Sequence, residues 1–167
     1  MGFGQAFSTC MRKYADFSGR ARRSEYWWYT LAYVLIMTPF FIAFMVASFS
    51  AAEDLIDLAD DGKSVTYQMF IDNVDWDQLV GPGLLVGGVW LVFLLPTLAV
   101  AARRLHDIGI SGWFILVGVV PYIGGAALLV MCIIDSQARE NRWGPDPKVD
   151  ERLGWGHVQE EPPPLGG

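Results

Sequence analysis

YWWYTLAYVLIMTPFFIAFMVASFS, the stretch from Tyr26 to Ser50, runs for 25 residues without an Asp, Glu, Lys, Arg or His. As an α-helix rising about 1.5 Å per residue it would reach roughly 37 Å, enough to cross a hydrocarbon core of about 30 Å. Two further runs, Leu79 to Ala102 and Ile108 to Ile134, are equally free of ionisable side chains. Backbone polar groups in lipid must be satisfied within their own segment, which selects helices. The strict alternation of a membrane β-barrel strand is absent from these runs. The sequence therefore predicts an all-α integral membrane protein. Its core is a small bundle of three apolar helical segments, spanning about 26–50, 79–102 and 110–134.

Working outward, the first run is too long for the apolar core of a secretory signal, which takes about 7–15 residues. It is also preceded by 25 residues that carry arginines and aromatics. It reads as a retained anchor, with Tyr26, Trp27, Trp28 and Tyr29 at the interface where an aromatic belt belongs. The third run holds Pro121 near its centre, followed by Gly124 and Gly125. One crossing kinked at Pro121 is the favoured expectation, and the broken segment can also be read as two helices, making four. A re-entrant hairpin turning at 121–125 suits the charges that follow it, but such a turn must be shielded by protein. Residues 1–152 are read as one membrane domain with an acidic loop over 51–78, and 153–167 as a flexible Pro- and Gly-rich tail. Within the loop, Ala51 to Asp61 continues a helical pattern, and Asp75 to Gln78 reads as a capping box for the second long helix.

The whole 167-residue chain is 53% hydrophobic and 18% charged, with a net charge of −6. The apolar content excludes intrinsic disorder, and the sign of the charge argues against nucleic acid as a partner. Charge is unevenly placed. Residues 1–25 carry a net +3, the 51–78 loop −7, the 103–107 link +1 and the segment from Asp135 onward −3. By the positive-inside rule the N-terminus and the 103–107 link face the cytoplasm, and the acidic loop faces outward.

Two basic motifs carry most of the chemistry. The first is Phe17-Ser18-Gly19-Arg20-Ala21-Arg22-Arg23-Ser24-Glu25, where Ser18 or Ser24 is placed to cap the first helix and Glu25 suits its dipole. The second is Arg103-Arg104-Leu105-His106-Asp107, in which Arg103 and Asp107 are spaced as an i, i+4 pair. Their arginines serve as topology anchors, as ligands for lipid phosphates, or as partners of Asp16, Glu25 and Asp107 in a juxtamembrane network. His106, Asp107 and Ser111 do not make a catalytic triad on a helix, because adjacent residues face different ways. Two histidines and two distant cysteines give no zinc-ligand spacing. The Asp72 to Asp77 stretch lacks the glycine and glutamate of a calcium loop. No metal and no cofactor is expected. Gly83 and Gly87 form a GxxxG pair that could mark a helix contact, within the chain or with a second copy. None of the three runs carries the ionisable residue a proton or ion pathway usually needs.

Together the motifs resemble the bacterial family called domain of unknown function 805, a group of small inner-membrane proteins. The resemblance rests on Phe17 to Trp28, on Arg103 to Asp107 running into Ser111-Gly112-Trp113, and on Glu140-Asn141-Arg142-Trp143-Gly144-Pro145-Asp146-Pro147. It covers roughly residues 5–148. The chain departs from the usual pattern in its longer acidic loop and in Trp143, where Tyr or Phe is commoner. The resemblance implies a multi-pass protein of the bacterial inner membrane with no known activity, and it adds Asn141 and Arg142 to the candidate residues. The expected function is that of a non-enzymatic membrane component. It would bind lipid headgroups or a protein partner through Arg20, Arg22, Arg23, Glu25, Arg103, Arg104, His106, Asp107, Asn141 and Arg142. Two alternatives are a membrane enzyme acting on a lipid headgroup, with His106 and Asp107 as acid–base groups, and a subunit or regulator of a transport complex.

Overall fold

The computed structural model describes residues 2–53, 66–121 and 123–159, and its regular structure is helical. No strand occurs among the described residues; Asn141 and Gly144 form one isolated bridge. The elements are α1 (Phe3–Arg12), α2 (Arg23–Ala51), α3 (Tyr67–Asn73), α4 (Trp76–Asp107), a 3₁₀ helix (Gly112–Val119), α5 (Ile123–Ile133) and α6 (Val149–Gln159). Of these, α2 with 29 residues and α4 with 32 are long and apolar enough to cross a membrane. The chain is an all-α integral membrane protein. The helical continuation expected over 51–61 falls almost wholly outside the described residues. Helix α6 runs to Gln159, so the first part of what reads as a flexible tail is helical.

The chain forms two compact units, Met1–Thr30 with Leu95–Gly167, and Leu31–Leu94. In the second unit large apolar side chains point outward: Leu35 is 59% exposed, Phe49 71% and Leu84 72%. Such a surface would be untenable in water and is what lipid requires. At the loop end of this unit Ala51 and Val74 are buried, with Leu79 against them. Asp75 caps α4, but the expected box is half formed, since the Asp75 N–H donates to Ala51 C=O at 3.4 Å and not to the Gln78 side chain. Its carboxylate accepts from the Asp77 and Gln78 amides at 3.2 and 3.3 Å, and the Gln78 side chain returns a bond of 2.7 Å. A Cβ on Gly83 would meet the Phe44 ring at 3.6 Å, an ordinary contact, and Gly87 faces open space. Neither makes a close backbone crossing within the unit.

The first unit holds the polar residues singled out as candidates for function. Helix α1, which apolar-run reading passes over, buries Ala6 and Cys10. It lays Phe3 edge-on to Trp28 at 5.9 Å and stacks Phe7 on Tyr29 at 6.4 Å. Neither serine caps α2. Ser18 is bound to Asp16, and Ser24 lies inside the first turn.

Helix α4 ends in a Schellman motif, with Ile110 N–H donating to Leu105 C=O at 2.9 Å and Gly109 N–H to His106 C=O at 3.0 Å. Gly109 sits at φ +84°, a conformation that glycine adopts without strain.

The third apolar run differs from the favoured expectation. It is a hairpin, not one kinked crossing. The 3₁₀ helix and α5 pack against each other, and the chain returns to its starting point, where Gln137 N–H donates to Asp107 C=O at 3.1 Å. Each limb is about 16 Å long, roughly half a hydrocarbon core. The objection that a re-entrant turn needs protein cover is met locally. Each limb is helical, Pro121 has no N–H to satisfy, and Ile123 and Gly124 N–H donate to Pro121 and Val120 C=O at 2.7 and 2.9 Å. Only glycine fits at 124, since a Cβ there would lie 2.0 Å from the Val117 carbonyl oxygen.

Candidate functional site

The end of α4 collects nearly every polar residue that the sequence singles out, and Asp107 is the centre. Its buried carboxylate accepts from Arg20 Nε at 2.9 Å and is bonded by Arg104 and by the Ser136 hydroxyl. Arg20 also reaches the backbone. It donates to Asp107 C=O at 3.2 Å, to Gln137 and Arg139 C=O at 2.8 Å each, and to Gly144 C=O at 3.4 Å. One guanidinium thus ties the N-terminal segment to α4 and to the loop after the hairpin. Its side chain is 2% exposed.

Arg104 is fully buried and donates to Cys132 C=O at 3.2 Å and to Ile134 C=O, capping the last carbonyls of α5 with a cation as the helix dipole favours. The expected pairing of Arg103 with Asp107 does not form. Successive helical side chains diverge by about 100°, so Arg104 takes Asp107 at i, i+3. Arg103 turns instead to Glu25 at 2.6 Å. Its Nη2 lies 4.0 Å from Cys10 Sγ, its backbone C=O accepts from Ala21 N–H at 3.1 Å, and its buried Nε has no partner among the described residues. Burial, reinforced by the Glu25 charge, pushes the Cys10 thiol up to about 12.

His106 and Asp107 face different partners, as adjacent helical residues must. His106 Nδ1 lies 3.2 Å from Gly19 C=O, and its ring stacks on Trp143 at 4.6 Å between centroids. Gly19, at φ +78°, supplies the left-handed turn that presents this carbonyl. The Arg142 guanidinium lies 3.9 Å from the centre of the same indole. Asn141 donates to His106 C=O at 3.0 Å and to Gln137 Oε1 at 3.3 Å, and accepts from Trp143 N–H at 3.0 Å. Arg22 pairs with Glu151 at the surface, and Arg23 opens α2.

Two concavities meet at Trp143. One is an apolar cavity of about 490 Å³ reaching from His106 along the 3₁₀ helix. The other is an open polar groove of about 530 Å³, with Gln137, Arg139, Glu140, Asn141 and Arg142 on its walls. Arg139 and Arg142 are exposed, and neither side chain has an ion pair among the described residues. Among the described residues no three His, Cys, Asp or Glu come together in a way that could hold a metal ion.

Sequence reasoning brings Arg20, Glu25, Arg103, Arg104, His106, Asp107, Asn141 and Arg142 to this junction, and leaves Gly83 and Gly87 away from it. It misses Ser136, Gln137 and Arg139. Their signal was position, since they directly follow the third apolar run and the hairpin delivers them to Asp107. It also misses Cys10, because α1 has no apolar run to advertise it.

A chain with two long apolar helices and this arginine junction is a small helical membrane protein, and its sequence identifies the group. Residues 14–145 match the family described as protein of unknown function (DUF805), and the chain belongs to it. It is 30% identical over 140 residues to the inner membrane protein YhaH of Escherichia coli strain K12, covering 84% of this chain and 93% of that protein. It is 31% identical over 144 residues to the inner membrane protein YhaI of the same strain, covering 86% of this chain and 96% of that one. No solved structure matches it.

Proposed function

We propose that this chain is a non-enzymatic protein of the bacterial inner membrane that holds anionic lipid headgroups in the groove beside Trp143. It crosses the membrane twice, with the N-terminus and the segment after the hairpin on the cytoplasmic side. The similarity to two inner membrane proteins of Escherichia coli supports the location. The basic flanks of α2 and α4 and the strongly acidic loop between them support the orientation.

The observation that carries the reading is a division of labour among the arginines. Arg20, Arg103 and Arg104 are buried and paired with carboxylates inside the protein, which keeps them from phosphate. Arg139 and Arg142 are exposed around one groove and form no ion pair among the described residues, and they outnumber Glu140, the carboxylate on its walls. Phosphate recognition by guanidinium, in bidentate form where geometry allows, fits that placement. The alternative in which His106 and Asp107 work together as an acid–base pair has less support, because the two side chains face different partners.

The test is retention of phosphatidylglycerol by the full-length protein in native mass spectrometry, with phosphatidylcholine as reference. Each basic residue near a membrane surface contributes on the order of 1 kcal/mol, so Arg139→Gln with Arg142→Gln, about 2 kcal/mol together, is expected to lower retention about thirtyfold. Unchanged retention in a double variant that unfolds like the parent protein would overturn the reading.

A further inference from the structure

The apolar cavity is a separate feature, and the headgroup reading leaves it unused. Leu98 and Ala102 of α4 and Ile115 and Leu116 of the 3₁₀ helix form its walls; at one end stand His106, Ser111, Gly112 and Trp143. Its volume, about 490 Å³, lies within the range of roughly 300–1,000 Å³ typical of ligand sites, and no Asp, Glu, Lys or Arg lines it. Such a lining suits an uncharged molecule that is apolar over most of its length.

The polar end has a definite hydrogen-bonding character. Gly19 C=O can only accept, so the Nδ1 atom beside it carries the proton. In the neutral ring Nε2 is then an acceptor. Gly112 keeps that atom uncovered: a Cβ there would press against it, 3.0 Å from Nε2 and 3.2 Å from the Ala102 methyl. His106, Gly112 and Ala102 all line the cavity, so an added methyl would occupy its polar corner. An acceptor at one end of an apolar cavity asks for a chain that ends in a hydroxyl donor. A carboxylate would bring acceptors to an acceptor with no cation in the lining, and an ester would bring no proton.

We propose that this cavity binds a single-chain neutral lipid of the monoacylglycerol type, its hydroxyl donating to His106 Nε2 and its acyl chain lying along the 3₁₀ helix. The stack on Trp143 and the bond to Gly19 hold the imidazole in register, and the Ser111 hydroxyl is available to a second hydroxyl of the glycerol. The site does not depend on the groove's arginines, and its ligands carry no charge.

The experiment uses the full-length protein in detergent, with bound lipid read by native mass spectrometry. 1-Monoolein is the probe, and methyl oleate and oleate are comparisons that share its chain but lack the neutral hydroxyl donor. Monoolein is expected to be retained about tenfold better than either, the scale of one buried hydrogen bond made or missed. Gly112→Ala is expected to abolish that preference by filling the corner beside Nε2. His106→Asn, which keeps a donor for Gly19 but has no atom at the Nε2 position, is expected to abolish it too, whereas His106→Gln should keep much of it. Equal retention of monoolein and methyl oleate by the parent protein overturns the proposal. So does a preference that survives in Gly112→Ala, and that variant decides the matter if the histidine variants fail to fold.

Discussion

Arginines that look alike in the sequence have opposite roles at the scale of the single residue. Arg104 and Arg22 stand in comparable basic clusters, yet Arg104 is completely buried and a quarter of the Arg22 side chain is exposed. The difference should appear in stability. Asp107→Ala would leave two buried guanidiniums, Arg20 and Arg104, without their counter-ion, and breaking buried pairs in this way costs about 3–5 kcal/mol. Arg22→Gln removes a surface pair and should cost at most about 1 kcal/mol. Thermal unfolding of the purified protein, followed by tryptophan fluorescence, compares the two; equal losses would mean that the junction is not a structural frame. The sequence shows that these residues are present and close to the apolar runs. It cannot show which are spent, because Arg20 meets Asp107 across 87 positions and Arg103 meets Glu25 across 78. That knowledge comes only with the fold.

At the scale of the element, α2 and α4 are legible because a single property, charge-free length, decides them. The Asp75 cap is legible because it is local. The third run passes the same length test and is nevertheless a hairpin, since what separates a kink from a reversal is contact between the limbs. Pro121 announces that the helix stops without saying which way the chain goes next. Gly118 and Gly124 carry the missing information, because a Cβ on the first would meet Leu128 at 2.6 Å and on the second would strike the backbone at Val117. Gly124→Ala should therefore destabilise the protein, although alanine is the better helix former by about 1 kcal/mol. Forcing a methyl into a filled contact costs about 1–3 kcal/mol, and here the neighbour is backbone and cannot rotate away. Gly125→Ala, at a position with open space, is the matched control and should be neutral or slightly stabilising. Loss of thermal stability in the first variant alone is the expected result, and equal behaviour of the two would show that the limbs do not pack closely.

For the whole molecule, the net charge of −6 hides the feature that matters, which is the separation of a basic face from an acidic loop. The segment after the hairpin is itself net −3, but the positive-inside rule counts Lys and Arg, and on that count the hairpin adds to the separation. A single crossing by residues 110–134 would have put Arg139, Arg142, Lys148 and Arg152 opposite the other arginines, against the positive-inside rule. Returning the chain to Asp107 keeps all four with Arg20, Arg103 and Arg104, as the proposed topology requires. Cysteine labelling with a membrane-impermeant maleimide tests it in intact bacterial spheroplasts. The native thiols give little background, because Cys10 and Cys132 are buried and Cys10 resists ionisation until about 12. Asp72→Cys should label in intact spheroplasts. Lys13→Cys and Ala138→Cys should label only after permeabilisation. The two halves of the topology fail differently: labelling of Ala138→Cys alongside Asp72→Cys would replace the hairpin with a crossing. Exchange of the whole pattern would instead preserve the hairpin and invert the protein, leaving the Arg139–Arg142 groove on the outer surface.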